Sequence, residues 1–271
     1  MINVMYALNK KVFNQVIISS VSIANHASEP VHFYLLTMDL SEKNKLYVPV
    51  EEKERKYLED ILKKKNSQNE VTIIDCLEAY KSFPFNDINN MNLFTPYANL
   101  RLFADKLPLP DHIIYLDTDT VCNSDIKELW DLPIDEYEIL AVRDVFIWGL
   151  KNHRKYFNSG MLNLNLKKIK ETGYFQKARE LINKRHMTFL DQDALNFTWT
   201  KMKLIDRKFN RIHHGFRRIN DNVIHHMCDC RAYFVYRYKS NNLNIVRRHM
   251  KCYRPLIDEC EKYIEDFKKE A

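Results

Sequence analysis

Two aspartates stand one residue apart at Asp117-Thr118-Asp119, directly after the apolar run His112-Ile113-Ile114-Tyr115-Leu116. In an extended segment the side chains of residues i and i+2 point the same way, so both carboxylates can converge on one hard divalent cation. Oxygen ligands without thiolate suit Mg²⁺ or Mn²⁺, whose task beside a pyrophosphate is to neutralise a diphosphate leaving group. The competing reading, a solvated loop or a helix cap, is disfavoured by the apolar strand that precedes the acids. Asn158-Ser159-Gly160 forms a second cluster, in which amides can bond sugar hydroxyls and Gly160 can let a ligand approach the backbone; a plain turn is the alternative. Asp191-Gln192-Asp193 is a third. Carboxylates and amides are common partners of sugar hydroxyls, and an Asp near a developing positive anomeric carbon also helps electrostatically. Its bland reading is a helix cap followed by exposed acids. In the fourth, Arg247 to Pro255, cations can hold phosphate oxygens and a neutral His249 can supply a third metal ligand, against the alternative of a basic loop before the last helix. The adjacent pairs His213-His214 and His225-His226 lack i, i+4 helical spacing and read as surface or structural residues.

The elements that must carry these groups alternate between strand and helix. Ile2 to Ala7, Val31 to Thr37 and Val71 to Asp75 read as short buried strands, with helices over Val12 to Ala27 and Glu51 to Lys65 between them. That alternation predicts an α/β chain with a mainly parallel sheet covered on both faces. Thr95 to Asp105 reads as helical, followed by a turn at Pro108 and Pro110 and the central strand ending at Asp117. Ligands bind beyond the C-terminal edge of such strands, which places the acids where chemistry is expected. Glu138 to Arg143 and Tyr156 to Asn165 are further strands, Lys167 to Lys184 is one helix, and acids suited to a helix N-terminus open Asp191 to Thr200. Beyond Lys201 the periodicity weakens. A single domain over residues 1–271 is expected, with 201–271 an irregular and helical part closing over the site.

Bulk properties narrow the function classes. A chain of 271 residues with 45% hydrophobic and 29% charged residues, 4 Gly and 8 Pro is ordinary globular composition. The net charge of +6 comes from basic residues spread among apolar and acidic ones, which suits an acidic ligand and argues against a nucleic-acid partner. Six cysteines with no apolar leader before them fit a reducing, cytoplasmic setting; Cys228-x-Cys230 falls short of a four-ligand zinc site. No apolar stretch approaches the roughly 18 residues needed to span a bilayer. An apolar stripe from Leu256 to Phe267 reads as covering the core, with peripheral contact at the inner face of a membrane the lesser expectation.

In this order and on this scaffold, YLDTD at Tyr115–Asp119, FNSG at Phe157–Gly160 and DQDALN at Asp191–Asn196 resemble glycosyltransferase family 8, which includes glycogenin and bacterial lipopolysaccharide galactosyl- and glucosyltransferases. The resemblance runs from Ile2 to about Pro255. It implies a GT-A fold, a UDP-sugar donor carrying glucose or galactose, Mn²⁺ or a similar cation, a saccharide or lipid-linked glycan acceptor, and retention of anomeric configuration. Carried over by motif, Asp117 and Asp119 bind metal and diphosphate with Thr118 between them. Arg101 in YANLRL contacts the donor, and Asp144, Asn158, Ser159 and Gly160 line the sugar or acceptor pocket. Asp191 holds donor-sugar hydroxyls, and Gln192 sits near the anomeric carbon on the face opposite the leaving group. Two stretches depart from the family. An acidic residue and an Asn-Tyr pair usually seat uridine near the first strand, where this chain reads Ala7-Leu8-Asn9-Lys10-Lys11. The family's His-x-x-Gly-x-x-Lys-Pro-Trp is met here by a glycine-free segment from His249 to Arg254-Pro255, one residue short. Rival readings are a nucleotidyltransferase, for which neither a glycine-rich phosphate loop nor an N-terminal basic signature is found, and a non-catalytic carbohydrate-binding protein on a transferase scaffold.

Overall fold

The computed structural model describes residues 1–89, 95–144, 155–212, 223–227 and 253–270. Among these, seven strands form one sheet: β1 (Ile2–Ala7), β2 (Val31–Thr37), β3 (Glu70–Asp75), β4 (His112–Leu116), β6 (Ile139–Arg143), β7 (Phe157–Asn165) and β8 (Met202–Ile205), in the order β3-β2-β1-β4-β7-β6-β8. The first four run parallel, with Val4 opposite Phe33 on one side and Ile114 on the other. β7 enters antiparallel between β4 and β6, and β8 pairs parallel with β6. The expected mixed, mainly parallel α/β architecture is what forms. Because β1 is flanked by β2 on one side and by the later β4 on the other, the order reverses there and a crevice opens beyond the carboxyl ends of β1 and β4. Ala7 and Asp117 stand at those two ends.

Both sheet faces are buried, which is why the strands read as continuous apolar runs. One face packs under helices Phe13–Ala24, Glu52–Lys63 and Arg254–Glu270, the other under the 3₁₀ segment Pro96–Lys106 and helices Tyr174–Lys184 and Leu190–Phe197. The helix Glu52–Lys63 starts on a capping box between Glu51 and Glu54. In the last helix the stripe of Ile257, Cys260 and Ile264 faces the core, and Phe267 packs against Phe13 and Tyr57. No helix of the described residues is long and apolar enough to cross a membrane.

Three local readings change. The helix expected over Lys167–Lys184 is two, because Gly173 adopts a left-handed φ of 67° that ends Leu166–Thr172 and opens Tyr174–Lys184. The segment expected as an ordinary helix after Thr95 is 3₁₀; its burial runs continuously from Asn99 to Ala104, with no stripe of 3.6-residue spacing. Met202–Ile205, beyond the point where periodicity fades, is an edge strand of the main sheet. A smaller sheet, β5 (Thr120–Cys122), β10 (Ile224–His226) and β9 (Arg211–Ile212), stands beside the main one. Its strands have only two or three residues, too few for a pattern to declare itself.

Candidate active site

Asp117, Thr118 and Asp119 are the whole connection between β4 and β5, so the acids are held at both ends by ladders. Asp117 donates its backbone N–H to Gly160 O at 2.8 Å, and Met227 N–H donates to Asp119 O at 2.9 Å. Thr118 turns away and donates its hydroxyl to Gln15 at 2.7 Å. The Asp117 carboxylate accepts from Tyr115 OH at 2.7 Å and from Arg101 Nη2 at 2.9 Å. Arg101 is buried over the Tyr115 ring, donates to Ser159 O at 2.6 Å and pairs with Asp191 Oδ2 at 3.2 Å. It therefore ties the acidic loop to the Asp191 helix. Burial pushes the Asp191 carboxyl up to about 6, against the pull of Arg101.

The antiparallel register of β5 and β10 sets His226 opposite Thr120. Its Nε2 then lies 3.2 Å from Asp119 Oδ1 and 3.6 Å from Asp117 Oδ2. Ligand atoms from these three residues all fall within 4.8 Å of one another. Burial alone would raise the Asp119 carboxyl; the neighbouring His226 overrides it and holds the group low. The reading of His226 as a surface or structural residue is thus corrected, while His225, buried against Tyr253, keeps the structural one. On a strand, adjacent side chains point to opposite faces: His225 meets Tyr253, and His226 meets the acids. Strand spacing behind Val223-Ile224 was the available signal. His249, expected as the third ligand, lies outside the described residues, as do Cys228, Cys230 and the pair His213-His214. Arg254 opens the last helix and is exposed.

Gly160 makes this approach possible. A Cβ there would overlap His226 Cε1 and lie 2.7 Å from both Asp117 Oδ2 and His226 Nδ1. The turn reading of Asn158-Ser159-Gly160 gives way to buried strand β7. The helix-cap reading of Asp191-Gln192-Asp193 also fails. All three residues are buried inside Leu190–Phe197, and the N-cap is Phe189.

Next to the acids lies a dense amide cluster. Gln192 Oε1 accepts from Ser159 N–H at 3.0 Å and Asn158 Nδ2 at 3.1 Å, while Gln192 Nε2 donates to Asp144 Oδ2 at 3.3 Å. Asn158 Nδ2 also reaches Asp144 Oδ2 at 3.2 Å. Beneath it Tyr156 OH donates to Asp193 at 2.6 Å. Buried amides and carboxylates of this kind suit the hydroxyls of a sugar ring. On the other side of Asp119, a cleft of about 250 Å³ opens between helices Phe13–Ala24 and Arg254–Glu270, lined by Lys11, Gln15, Thr118, Ile257 and Glu261 among others. Asn9, just past β1, is buried, and its Oδ1 has no hydrogen-bond partner among the described residues.

Known proteins resemble this chain in sequence and in fold. A Salmonella typhimurium lipopolysaccharide 1,3-galactosyltransferase is 30% identical over 194 residues, covering 66% of this chain and 56% of that protein. An Escherichia coli lipopolysaccharide 1,2-glucosyltransferase is 27% identical over 151 residues, covering 50% and 43%. The chain thus matches about half the length of these relatives. Among solved structures, galactosyltransferase LgtC in complex with donor and acceptor sugar analogues superposes with a TM-score of 0.68 at 19% identity, covering 94% of this chain and 100% of that one. Mouse xyloside xylosyltransferase 1 gives 0.55 at 15% identity, covering 85% and 98%. These likenesses establish a GT-A fold. The profile of Glycosyl transferase family 8 matches residues 3–234, and the chain belongs to that family.

Proposed function

We propose that this protein is a metal-dependent, retaining hexosyltransferase that moves glucose or galactose from a UDP-sugar to a saccharide or glycolipid acceptor. The observation that carries the reading is the convergence of Asp117, Asp119 and His226 beside the buried amides of Asn158 and Gln192, at the carboxyl edge of the sheet. Two carboxylates and an imidazole make a mixed oxygen and nitrogen set that fits Mn²⁺, a first-row ion that accepts both, better than Mg²⁺, which favours oxygen and water. When bound, the ion supplies charge neutralisation for a departing diphosphate.

The remaining roles belong to the chain. Ala7 and Asn9 border the nucleoside side, and the buried Asn9 Oδ1, without a partner among the described residues, suits the N–H of a pyrimidine base. Asp191, Asp144, Asn158 and Ser159 hold sugar hydroxyls. Gln192 faces the anomeric carbon as a fixed amide dipole; its oxygen already accepts from Ser159 N–H, and an amide is a weak nucleophile. Retention then follows a front-face route. The anomeric C–O bond breaks with its electron pair leaving on the diphosphate. The acceptor hydroxyl attacks from the same face and passes its proton to the departing phosphate oxygen. The names of the lipopolysaccharide relatives support a glycan acceptor of that kind.

Calorimetric titration of UDP tests the reading. Binding is expected with Mn²⁺ and lost with EDTA or in D117N and D119N. Equal UDP binding with and without metal would sink it.

A further inference from the structure

Asn210 sits between the 3₁₀ turn Arg207–Phe209 and β9, buried and outside every motif singled out in the sequence. Its side chain joins the amide cluster to His226. Asn210 Nδ2 lies 2.8 Å from Asn158 Oδ1, and Asn210 Oδ1 lies 3.1 Å from His226 Nδ1.

The orientation of every amide in this row can be argued from a group that can only donate. Gly160 N–H points at the Asn158 side-chain atom 2.9 Å away, so that atom is the oxygen. Its partner nitrogen accordingly faces the acceptors Asp144 Oδ2 and Gln192 Oε1, and Gln192 Oε1 is fixed independently by Ser159 N–H. An oxygen at Asn158 requires Asn210 to present its NH₂ there, which turns Asn210 Oδ1 toward His226. That oxygen accepts only from a protonated Nδ1, since two lone pairs 3.1 Å apart repel.

We propose that Asn210 is a positioning residue: when a cation takes the place of the proton that His226 Nε2 shares with Asp119, Asn210 holds His226 as the Nδ1–H tautomer, with its Nε2 lone pair turned to the cation between Asp117 and Asp119. The polarity of the row originates in the backbone N–H groups of Ser159 and Gly160. The amides that seat the sugar and the imidazole that would hold the metal are therefore oriented by the same two peptide groups. Partners that fix the tautomer of a ligating histidine raise its basicity and hold its ring plane, and their loss costs about 10- to 100-fold in metal affinity.

This inference rests on the metal reading of Asp117, Asp119 and His226, and its test separates the two. The full chain labelled with ¹⁵N-histidine is saturated with Mg²⁺ and examined by long-range ¹H–¹⁵N correlation, with the His226 signals assigned by H226Q. Mn²⁺ affinity is measured in parallel by electron paramagnetic resonance with the metal alone. In the wild type, His226 is expected to carry its proton on Nδ1. N210L, with the same branched skeleton and no polar atoms, is expected to lose about 10- to 100-fold in Mn²⁺ affinity and the tautomer preference. N210D keeps an acceptor for Nδ1–H but turns a second oxygen on Asn158 Oδ1, so it is expected to keep the Nδ1–H tautomer while recovering the Mn²⁺ affinity only in part. A wild-type His226 protonated on Nε2, or an N210L protein that keeps Mn²⁺ affinity within threefold, overturns the proposal; the first is read on the wild-type protein itself. A wild type that binds Mn²⁺ no better than D119N removes the metal reading itself, and the relay with it.

Discussion

Asp191 is buried between a guanidinium and a second carboxylate, and burial wins, raising its carboxyl from the ordinary 3.8 to about 6. The sign of the consequence is fixed by linkage. Between pH 4 and 6 the unfolded chain ionises Asp191 while the folded chain resists, so stability falls as pH rises through that window and stays reduced above it. A shift of this size corresponds to about 3 kcal/mol. D191N removes the titration, so in EDTA its melting temperature relative to wild type should be higher at pH 7 than at pH 4; an equal difference at both pH values would contradict the assignment. Legibility differs sharply between residues of the site. Asp117, Asp119, Asn158, Asp191 and Gln192 stood out as short carboxylate and amide clusters beside apolar runs, each with a bland reading of its own, and it was their order along one strand–helix scaffold that set them apart. His226 and Asn210 did not. Their roles arise from one side-chain direction on a three-residue strand and one turn; His226 meets acids more than 100 residues away, and Asn210 meets Asn158 across 52 residues.

At the scale of elements, β7 is the strand on which the site is assembled. Its antiparallel entry beside β4 brings Gly160 under Asp117, and β10 then lays His226 across the missing Cβ. Gly160→Ala must push either His226 or the Asp117 carboxylate aside. The expected result is a loss of about 1–3 kcal/mol in stability, as for other overpacked sites, with at least a tenfold loss in Mn²⁺ affinity. Urea unfolding and Mn²⁺ titration measure the two; a variant equal to wild type in both would refute the packing argument. The long strands were readable because both faces are buried and the runs are plainly apolar; their order in the sheet was not. The small sheet and the break at Gly173 were not. Two- and three-residue strands have no period, and one glycine inside a helical pattern is tolerated too often to mark a break.

For the molecule as a whole, the last helix binds the C-terminal chain to the first half of the fold. Tyr57 OH donates to Tyr263 O at 2.6 Å, Lys65 pairs with Glu259, and Ile257 is buried where the helix borders the cleft beside Asp119. Ile257→Ala should destabilise the protein by about 3 kcal/mol and raise amide exchange in both this helix and Phe13–Ala24. Exchange confined to the C-terminal helix would show that it packs without supporting the site. The central claim concerns what the assembled crevice does, and donor turnover tests it most directly. UDP-glucose, UDP-galactose, UDP-N-acetylglucosamine and GDP- and ADP-sugars are incubated with Mn²⁺, Mg²⁺ or chelator, with and without mixed saccharide acceptors, and nucleotide release is followed. Metal-dependent release of UDP from the glucose or galactose donor is expected, abolished in D117N/D119N and reduced at least a hundredfold in H226A. Release that persists in chelator or survives the double substitution, or turnover of no donor with any acceptor, would contradict the claim.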